Sequence, residues 1–442
     1  MGLGAPRCNV ATVNSRLANR LLRLAAAALV VGLAIFIYSR SSTAFFFNDD
    51  YNWLDQSWHV SVRNFFDLSR YAHFYRPVIE LYFEWGLKHF QCNPVPFHWT
   101  SVGIHVMTSG VVYLFAREIG MARPFAYLAA LWFVVQSGPV EAVAWIGAIT
   151  DLMPGLWYIL TLWLFAAFLF RRRTYFYPLA LLVFVVCLLT HESSATLIVM
   201  LAAVDVILTP RGAVFTRDAI LTRLRWYAPF AVLLVGYLAI AYVVNTRSYL
   251  VTEGHYRFGL HAGPKLLDYF VAILVWVRGP FQDVALVAGI VLALVIGSPR
   301  VRFFMVWILV TLLPVLFFTW GIAARYEYVP AAGFCLLGAE LLAAWSASPV
   351  RRVSPRAKHV AIAVVAAALV VRSTHFARKG TADHVELSQP YSALRAAVLG
   401  ATRDGQGRVV LDQAVVAPIP PMYVSGAVRI SLCQPNVQTV VR

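Results

Sequence analysis

The sequence predicts an all-α membrane protein whose chain crosses the bilayer many times. Of its 442 residues, 60% are hydrophobic and only 13% are charged, whereas a soluble domain carries roughly 25% charged residues. The apolar residues form separate runs, each near the roughly 20 residues that a bilayer-spanning helix needs. This composition excludes a soluble globular enzyme, a disordered chain and a small disulfide-rich secreted protein.

The apolar runs predict about eleven transmembrane helices. They lie at about 21–38, 98–116, 124–137, 152–170, 175–190, 195–209, 227–245, 284–297, 303–320, 331–346 and 359–372. Two further apolar segments, 77–90 and 266–281, are interrupted by charged residues. We interpret both as interfacial helices in exported loops, lying on the membrane surface.

The formal net charge of +16 predicts how the chain is oriented, because basic residues mark the cytoplasmic loops of membrane proteins. Four arginines precede the first run: Arg7, Arg16, Arg20 and Arg23. Alternation from a cytoplasmic N-terminus then assigns every later basic cluster to the cytoplasm and the C-terminus to the exported side. The charge needs no nucleic-acid partner. A signal peptide cleaved near Ser42-Thr43-Ala44 is the alternative interpretation of the first run.

We predict a membrane domain over residues 1–372 and a small exported tail over residues 373–442. The tail has a helical pattern at about 385–400 and strand-like runs at Arg408–Leu411 and Ala427–Leu432, separated by a proline-rich turn. Cys92 and Cys433 both fall on the exported side, where an oxidising compartment permits a disulfide. Free thiols are the alternative for these two cysteines.

Acidic residues concentrate in the predicted exported loops. Thirteen lie there: Asp49, Asp50, Asp55, Asp67, Glu80, Glu84, Glu141, Asp151, Glu192, Glu253, Asp268, Asp283 and Glu327. The cytoplasmic loops hold only Glu118 and Asp218. Topology rules do not require this asymmetry, because acids contribute little to orientation. We therefore expect some of these acids to converge on an exported cavity. For any single acid, the alternative is an ordinary solvent-exposed charge in a loop.

The adjacent carboxylates of Asp49 and Asp50 are the strongest candidates for chemistry. A carboxylate at the edge of an apolar cavity can act as a general base toward a hydroxyl group. An acidic pair can also bind a divalent cation such as Mg²⁺ or Mn²⁺ through its oxygens, so these two residues are the candidate ligands of any metal. Arg76 lies later in the same exported loop, directly before the interfacial segment 77–90, and can bind a phosphate with two hydrogen bonds.

Six short motifs in this order resemble the GT-C class of integral-membrane glycosyltransferases. Within that class they are similar to the protein O-mannosyltransferase-like branch, which includes the eukaryotic transmembrane and tetratricopeptide-repeat O-mannosyltransferases. The motifs span about residues 45–335: Asn48-Asp49-Asp50, Tyr75-Arg76-Pro77, Phe97-His98 with His105, Pro139-Val140-Glu141 through Trp145 with Asp151, His191-Glu192-Ser193, and Ala324-Arg325-Tyr326-Glu327-Tyr328-Val329-Pro330.

The resemblance implies sugar transfer from a polyprenyl- or dolichyl-phosphate carrier to an acceptor on the exported face, with inversion at the anomeric carbon. It implies that Asp49 acts as the base or positions the acceptor, with Asp50 beside it. The other motif residues are expected to bind substrate or phosphate: Arg76, Arg325, His191, Glu192, Glu141, Asp151, His105 and Glu327. The sequence departs from the family pattern in two places, with His191 where Lys is usual and Ala324 where Glu is usual.

Several polar residues of the predicted spans have a structural alternative. His98 and His105 lie seven residues apart on one helix face, where packing competes with a ligand or proton-shuttle role. Tyr326 and Tyr328 fit either an interfacial aromatic belt or a surface for stacking a sugar. Asp205 can reach the cytoplasmic interface, whereas the deeper Glu340 fits a functional or a helix-pairing role.

Two other function classes remain open from the sequence. A lipid-linked-glycan flippase would have its ionisable residues near the bilayer midplane and often internal repeats. In this sequence most acids gather at the predicted exported ends of the spans, and no repeat is visible. A non-catalytic homologue would explain the two departures from the family pattern. As a glycosyltransferase, the protein is expected in a bacterial inner membrane, with its active site facing the periplasm.

Overall fold

The computed structural model describes residues 10–58, 60–71, 73–209, 216–274, 278–349 and 354–442, with side chains from residue 18 onward. The described chain is almost entirely helical. The helices are α1 (Val10–Tyr38), α2 (Asp50–Ser57), α3 (Pro77–Phe90), α4 (Pro94–Glu118), α5 (Arg123–Val135), α6 (Val140–Ala144), α7 (Ile149–Arg171), α8 (Phe176–Leu188), α9 (Leu197–Leu208), α10 (Arg217–Asn245), α11 (Tyr249–Thr252), α12 (Ala262–Leu274), α13 (Pro280–Val295), α14 (Pro299–Leu312), α15 (Tyr328–Ala347), α16 (Pro355–Leu387), α17 (Gln389–Gly400), α18 (Gln413–Val416) and α19 (Pro421–Leu432). Two strands, β1 (Val409–Leu411) and β2 (Thr439–Val441), pair in parallel.

A helix coincides with each of the eleven predicted spans: α1, α4, α5, α7, α8, α9, α10, α13, α14, α15 and α16. In the described part of the chain, six helical segments are long and apolar enough to cross a membrane: Ala18–Thr43, Pro94–Glu118, Ile149–Arg171, Arg217–Asn245, Ala324–Ala347 and Pro355–Gly400. Helices α5, α8 and α13 are apolar but shorter. The chain is an integral membrane protein, and the number of eleven crossings stays a prediction.

Prolines explain two differences from the predicted membrane segments. The run at 303–320 is helical only to Leu312 in α14, because Pro314 has no N–H with which to continue the helix. The segment 266–281 is not one interfacial helix. Helix α12 is described as far as Leu274, residues 275–277 lie outside the described residues, and Arg278 and Gly279 are not helical. Pro280 then begins α13 at a position where proline is favoured. By contrast, 77–90 is the single helix α3.

The tail also differs from its prediction. Ala427–Leu432 is part of helix α19 rather than a strand, because Val424, Ala427 and Val428 are buried at helical spacing. The predicted run at 408–411 does form a strand, and its partner is β2. Helix α16 runs unbroken through residue 372, across the predicted domain boundary.

Close packing between α7 and α15 positions the two helix ends that the sequence predicts to be exported. The Tyr328 ring lies where a side chain at Gly155 would begin, since a Cβ there would be 2.4 Å from the ring. The Tyr328 hydroxyl lies 3.0 Å from His105 Nδ1 on α4. Three helices thus meet at Tyr328, and the residues just before it are held near the start of α7.

Arginine–carboxylate pairs join the helix ends that the sequence predicts to be cytoplasmic. Arg171 Nε donates to Glu118 at 2.8 Å, and Arg300 Nε donates to Glu340 at 2.8 Å. Asp205 accepts from Arg223 and from the Tyr227 hydroxyl. Both acids within predicted spans, Asp205 and Glu340, therefore pair helices.

The tail is anchored to the first exported loop. A disulfide joins Cys92, just before α4, to Cys433, just after α19. Helix α19 packs against α2, and Arg429 of α19 forms an ion pair with Asp55 of α2. The disulfide closes a loop of 341 residues, so it restricts the unfolded chain strongly.

Breaking this disulfide should destabilise the protein. We expect Cys433→Ser to lower the free energy of unfolding by about 2–4 kcal/mol. The measurement is the apparent Tm of the purified protein in detergent. Cys92→Ser is the matched control and should give the same decrease, with no further decrease in the double variant. Additive decreases from the two single variants would contradict a shared bridge.

Glu80 of α3 should make stability depend on pH. Burial raises the pKa of this carboxyl to about 7, although Arg70 donates to it at 2.8 Å and acts in the opposite direction. The folded state therefore holds the proton more tightly than the unfolded state, and this contribution to stability is lost as pH rises from about 4.5 through 7. We expect the Tm of the wild type, measured relative to Glu80→Gln, to fall between about pH 5 and pH 8. Glu84→Gln on the same helix is the control, and parallel pH profiles for the wild type and Glu80→Gln would contradict this assignment.

Candidate functional site

A cavity of about 560 Å³ lies among the loops that the sequence predicts to be exported. Its ionisable lining residues come from five separate segments: Asp49, His73, Arg76, Glu80, Asp151, His191, Glu192 and Arg325. Its aromatic lining comes mostly from the segments around residues 249–258 and 317–326. The cavity therefore brings together most of the predicted site residues from positions far apart in the sequence.

The adjacent acids Asp49 and Asp50 occupy different environments. Asp49 lines the cavity and is half-buried, at the position just before α2. Asp50 is fully buried behind it and does not line the cavity. Both acids follow a backbone turn that begins at Asn48, which has a φ of 51°. This left-handed conformation is one that asparagine tolerates better than most residues.

Asp50 joins two exported loops. Its Oδ2 accepts the N–H of Phe47 at 2.9 Å, and its Oδ1 accepts the N–H of Gly147. A Cβ at residue 147 would lie 2.8 Å from Oδ1, so glycine is needed for this approach. Burial raises the pKa of Asp50 well above its ordinary value, and the two N–H donors act against that shift. The position of Asp50 indicates a structural role, holding Asp49 at the cavity.

Arg76 and Glu192 form a two-bonded ion pair on the cavity wall. Arg76 Nε and Nη2 donate to the two Glu192 oxygens at 2.9 and 2.6 Å. The guanidinium also lies 4.3 Å from the centre of the Phe74 ring. Burial of Glu192 would raise its pKa, but Arg76 and then His191 outweigh burial and lower it to about 2. The pair therefore stays ionised at neutral pH.

Arg325 contacts two acids, Glu141 and Asp151. Its Nη1 donates to Glu141 Oε1 at 2.5 Å, and its backbone N–H donates to Glu141 Oε2 at 2.9 Å. Its Nε lies 3.6 Å from Asp151 Oδ2. The guanidinium also lies over the rings of Trp145 and Tyr326. These contacts fix its plane at the cavity edge.

His191 lies between the two arginine pairs. Its Nδ1 faces the backbone N–H of Ser193 at 3.1 Å, so the neutral ring carries its proton on Nε2. Nε2 lies 4.0 Å from Asp151 Oδ1. Burial and then the charge of Arg76 lower the pKa of His191. At neutral pH this residue is therefore a neutral hydrogen-bond donor rather than a cation.

Four of the predicted site residues do not line the cavity: Asp50, Glu141, His105 and Glu327. His105 is fully buried, and its Nε2 lies 3.1 Å from the Val134 carbonyl oxygen. Glu327 is 1% exposed and faces Gly138, and neither of its oxygens has a hydrogen-bond partner among the described residues. His98 is also buried, 3.3 Å from the Ala44 carbonyl oxygen. The two histidines therefore pack between helices.

Sequence reasoning missed two groups of residues at the site. Tyr249, Tyr256 and Phe258 line the cavity from a loop in which the sequence shows no motif. The second group is in the tail, where the Tyr423 hydroxyl donates to Asp49 Oδ1 at 2.6 Å. No spacing in the sequence connects two residues so distant along the chain.

The described residues do not form a ready-made metal site. No group of three or more His, Cys, Asp or Glu side chains within the described ranges is arranged to hold a metal ion. Of the two candidate metal ligands, Asp49 lines the cavity, whereas Asp50 is committed to two backbone N–H groups. Asp49 and Asp50 are therefore not arranged to coordinate one cation together.

Comparison with known proteins gives structural matches only. No protein-family model and no curated protein sequence matches the chain. The crystal structure of ArnT from Cupriavidus metallidurans bound to undecaprenyl phosphate matches with a TM-score of 0.54 and 11% identity, over 93% of this chain and 85% of that one.

The Archaeoglobus fulgidus oligosaccharyltransferase matches as well. Its apo form gives a TM-score of 0.55 and 11% identity over 95% of this chain. The form tethered to an acceptor peptide gives 0.53 and 14% over the same share. The chain spans 64% and 63% of those two chains, respectively. Both matched proteins are GT-C glycosyltransferases. The chain therefore has the fold of the GT-C class of integral-membrane glycosyltransferases.

Proposed function

We propose that the protein transfers a sugar, a hexose, from a polyprenyl-phosphate carrier to a hydroxyl group of an acceptor on the exported face. One observation carries the proposal. The Asp49 carboxylate and the two arginines Arg76 and Arg325 line the same cavity, between an aromatic wall and a set of fixed acids. A base and two phosphate-binding groups are what this transfer needs.

In the proposed reaction the acceptor oxygen attacks the anomeric carbon of the sugar from the face opposite the phosphate. A bond forms between these two atoms as the bond from the anomeric carbon to the phosphate oxygen breaks. The electron pair of the broken bond leaves on the lipid phosphate. Asp49 takes the acceptor proton. The products are an inverted glycoside and the free polyprenyl phosphate.

Arg76 and Arg325 would stabilise the charge that develops on the leaving phosphate. The bonds from Arg76 to Glu192 use the hydrogens on Nε and Nη2, and they leave those on Nη1 for a ligand. The acids keep each guanidinium in one plane. Little side-chain conformational entropy is therefore lost when the donor binds. His191, neutral and with its proton on Nε2, would add a hydrogen bond rather than a charge.

Aromatic residues form a wall on which a sugar or the first isoprenoid units could stack. The Phe318 and Trp320 rings are stacked with centroids 4.4 Å apart, and Phe318 and Tyr326 are stacked at 5.6 Å. All three line the cavity. Support for a lipid-linked donor comes from the ArnT structure, which has undecaprenyl phosphate bound. We propose a periplasmic active site in a bacterial inner membrane, as the distribution of basic residues indicates.

Asp49→Asn should abolish transfer while leaving the protein folded, because the amide cannot accept the acceptor proton. We expect the rate to fall by about 10²–10⁴-fold. The measurement is transfer of radiolabel into membranes from undecaprenyl-phosphate-linked mannose, glucose or galactose. Asp67→Asn, at an exposed acid of the same loop region, is the matched control and should retain activity. Wild-type turnover by Asp49→Asn would refute the assignment of the base.

Arg76→Lys should lower the transfer rate by about 10–100-fold, since lysine keeps the charge but cannot form two parallel hydrogen bonds. Arg70→Lys is the matched control because Arg70 also pairs with a buried glutamate, Glu80, but does not line the cavity. Rates are compared at equal protein and donor concentrations. Equal losses in the two variants would mean that Arg76 acts only by stabilising the fold.

A further inference from the structure

The tail provides a side chain to the proposed active site. The Tyr423 hydroxyl, on the first turn of α19, donates to Asp49 Oδ1 at 2.6 Å. These residues are 374 positions apart in the sequence. Within the described ranges no cation forms an ion pair with Asp49, so this hydroxyl is the polar contact that holds its carboxylate.

We infer that Tyr423 is a positioning residue for the base, Asp49. The tail therefore contributes a residue to the active site. The inference rests on the proposed function, in which Asp49 accepts the acceptor proton. It assigns the tail a role in catalysis, separate from its anchoring of the first exported loop.

The physical reason lies in the last torsion of the aspartate side chain. Rotation about this bond is broad and roughly two-fold, so a carboxylate without a fixed partner samples many planes. A hydrogen bond to Oδ1 selects one plane, and it leaves Oδ2 free to receive the proton of the acceptor. A hydrogen bond to a charged group is stronger than one between neutral groups, and it holds the carboxylate in that plane.

Tyr423 is suited to remain a donor. Burial raises its pKa, and the hydrogen bond to Asp49 raises it further. The hydroxyl therefore keeps its proton across the physiological range. Because it is neutral, it orients the carboxylate without forming an ion pair, which would make the oxygen a weaker base.

Several contacts fix where Tyr423 sits. The Cys92–Cys433 disulfide holds the end of α19, and Arg429 pairs with Asp55. Helices α19 and α2 approach closely, since a Cβ at Gly426 would lie 3.1 Å from the Cβ of Tyr51. The hydroxyl is therefore carried by a helix that is attached at more than one point.

A second tyrosine of the tail provides the matched control. The Tyr391 hydroxyl donates to Asn48 Oδ1 at 2.5 Å. It anchors the tail to the residue next to Asp49 but does not touch the carboxylate. Tyr423→Phe and Tyr391→Phe each remove one hydroxyl between the same two segments, and only Tyr423→Phe removes a contact to the base.

The experiment measures kcat and the KM for donor of the full chain in detergent, with undecaprenyl-phosphate-linked radiolabelled hexoses as the probes. Wild type, Asp49→Asn, Tyr423→Phe and Tyr391→Phe are compared, and their apparent Tm values are recorded. We expect Tyr423→Phe to lower kcat about tenfold or more with KM for the donor within about twofold of wild type. Tyr391→Phe should keep kcat within about twofold, and the two variants should have similar Tm values.

Every outcome decides the inference. Wild-type kcat in Tyr423→Phe, with Asp49→Asn inactive, overturns the positioning role and leaves the proposed function intact. Equal losses of kcat in both tyrosine variants, or a loss in Tyr423→Phe that only follows its Tm, also overturn it, because the tail would then act through stability alone. A wild type that turns over none of the probes, or an active Asp49→Asn, overturns the proposed function and the inference with it.

Discussion

The buried carboxylate of Asp50 is the contact on which the site depends. It accepts one backbone N–H from the loop before α2 and another from the turn before α7, and so it fixes these two loops to each other. Asp49 precedes Asp50 on the first loop, while Trp145 and Asp151 flank Gly147 on the second. Removing this carboxylate would leave two buried N–H groups without a partner, which is costly. The position of Asp49 relative to Trp145 and Arg325 is therefore set by a residue that does not line the cavity itself.

Both arginines that line the cavity are paired with acids. Arg76 is paired with Glu192, and Arg325 with Glu141 and Asp151. Unpaired guanidinium groups would attract any anion, whereas paired ones bind only a ligand that matches the direction of their remaining N–H groups. Selectivity for a phosphate that carries a sugar on one side and a lipid on the other is consistent with this arrangement.

The helices could be predicted well from the sequence, because a helix that crosses a bilayer needs an apolar run of about 20 residues. Such a run is visible directly in the sequence. The sequence also predicted Asp49, Arg76, Asp151, Glu192 and Arg325 at the cavity because their motifs flank helix ends on one side of the membrane. It could not separate Asp49 from Asp50, since only the turn at Asn48 and the approach of Gly147 decide which carboxylate is buried. The strand predicted at Ala427–Leu432 was wrong because short apolar runs fit either period. Tyr423 could not be found, because its contact depends on how the tail docks.

The docking of α19 has a consequence for the biogenesis of the protein. Asp49 precedes its hydrogen-bond partner, Tyr423, by 374 residues, so Tyr423 is synthesised only after all the intervening helices have been made. The Cys92–Cys433 disulfide likewise cannot form until Cys433 has been synthesised. Oxidative folding therefore joins a segment that is made early to one that is made late. An unfinished chain in the membrane would hold Asp49 without this partner. The hydrogen bond from Tyr423 to Asp49 therefore forms only after the chain has been synthesised through α19.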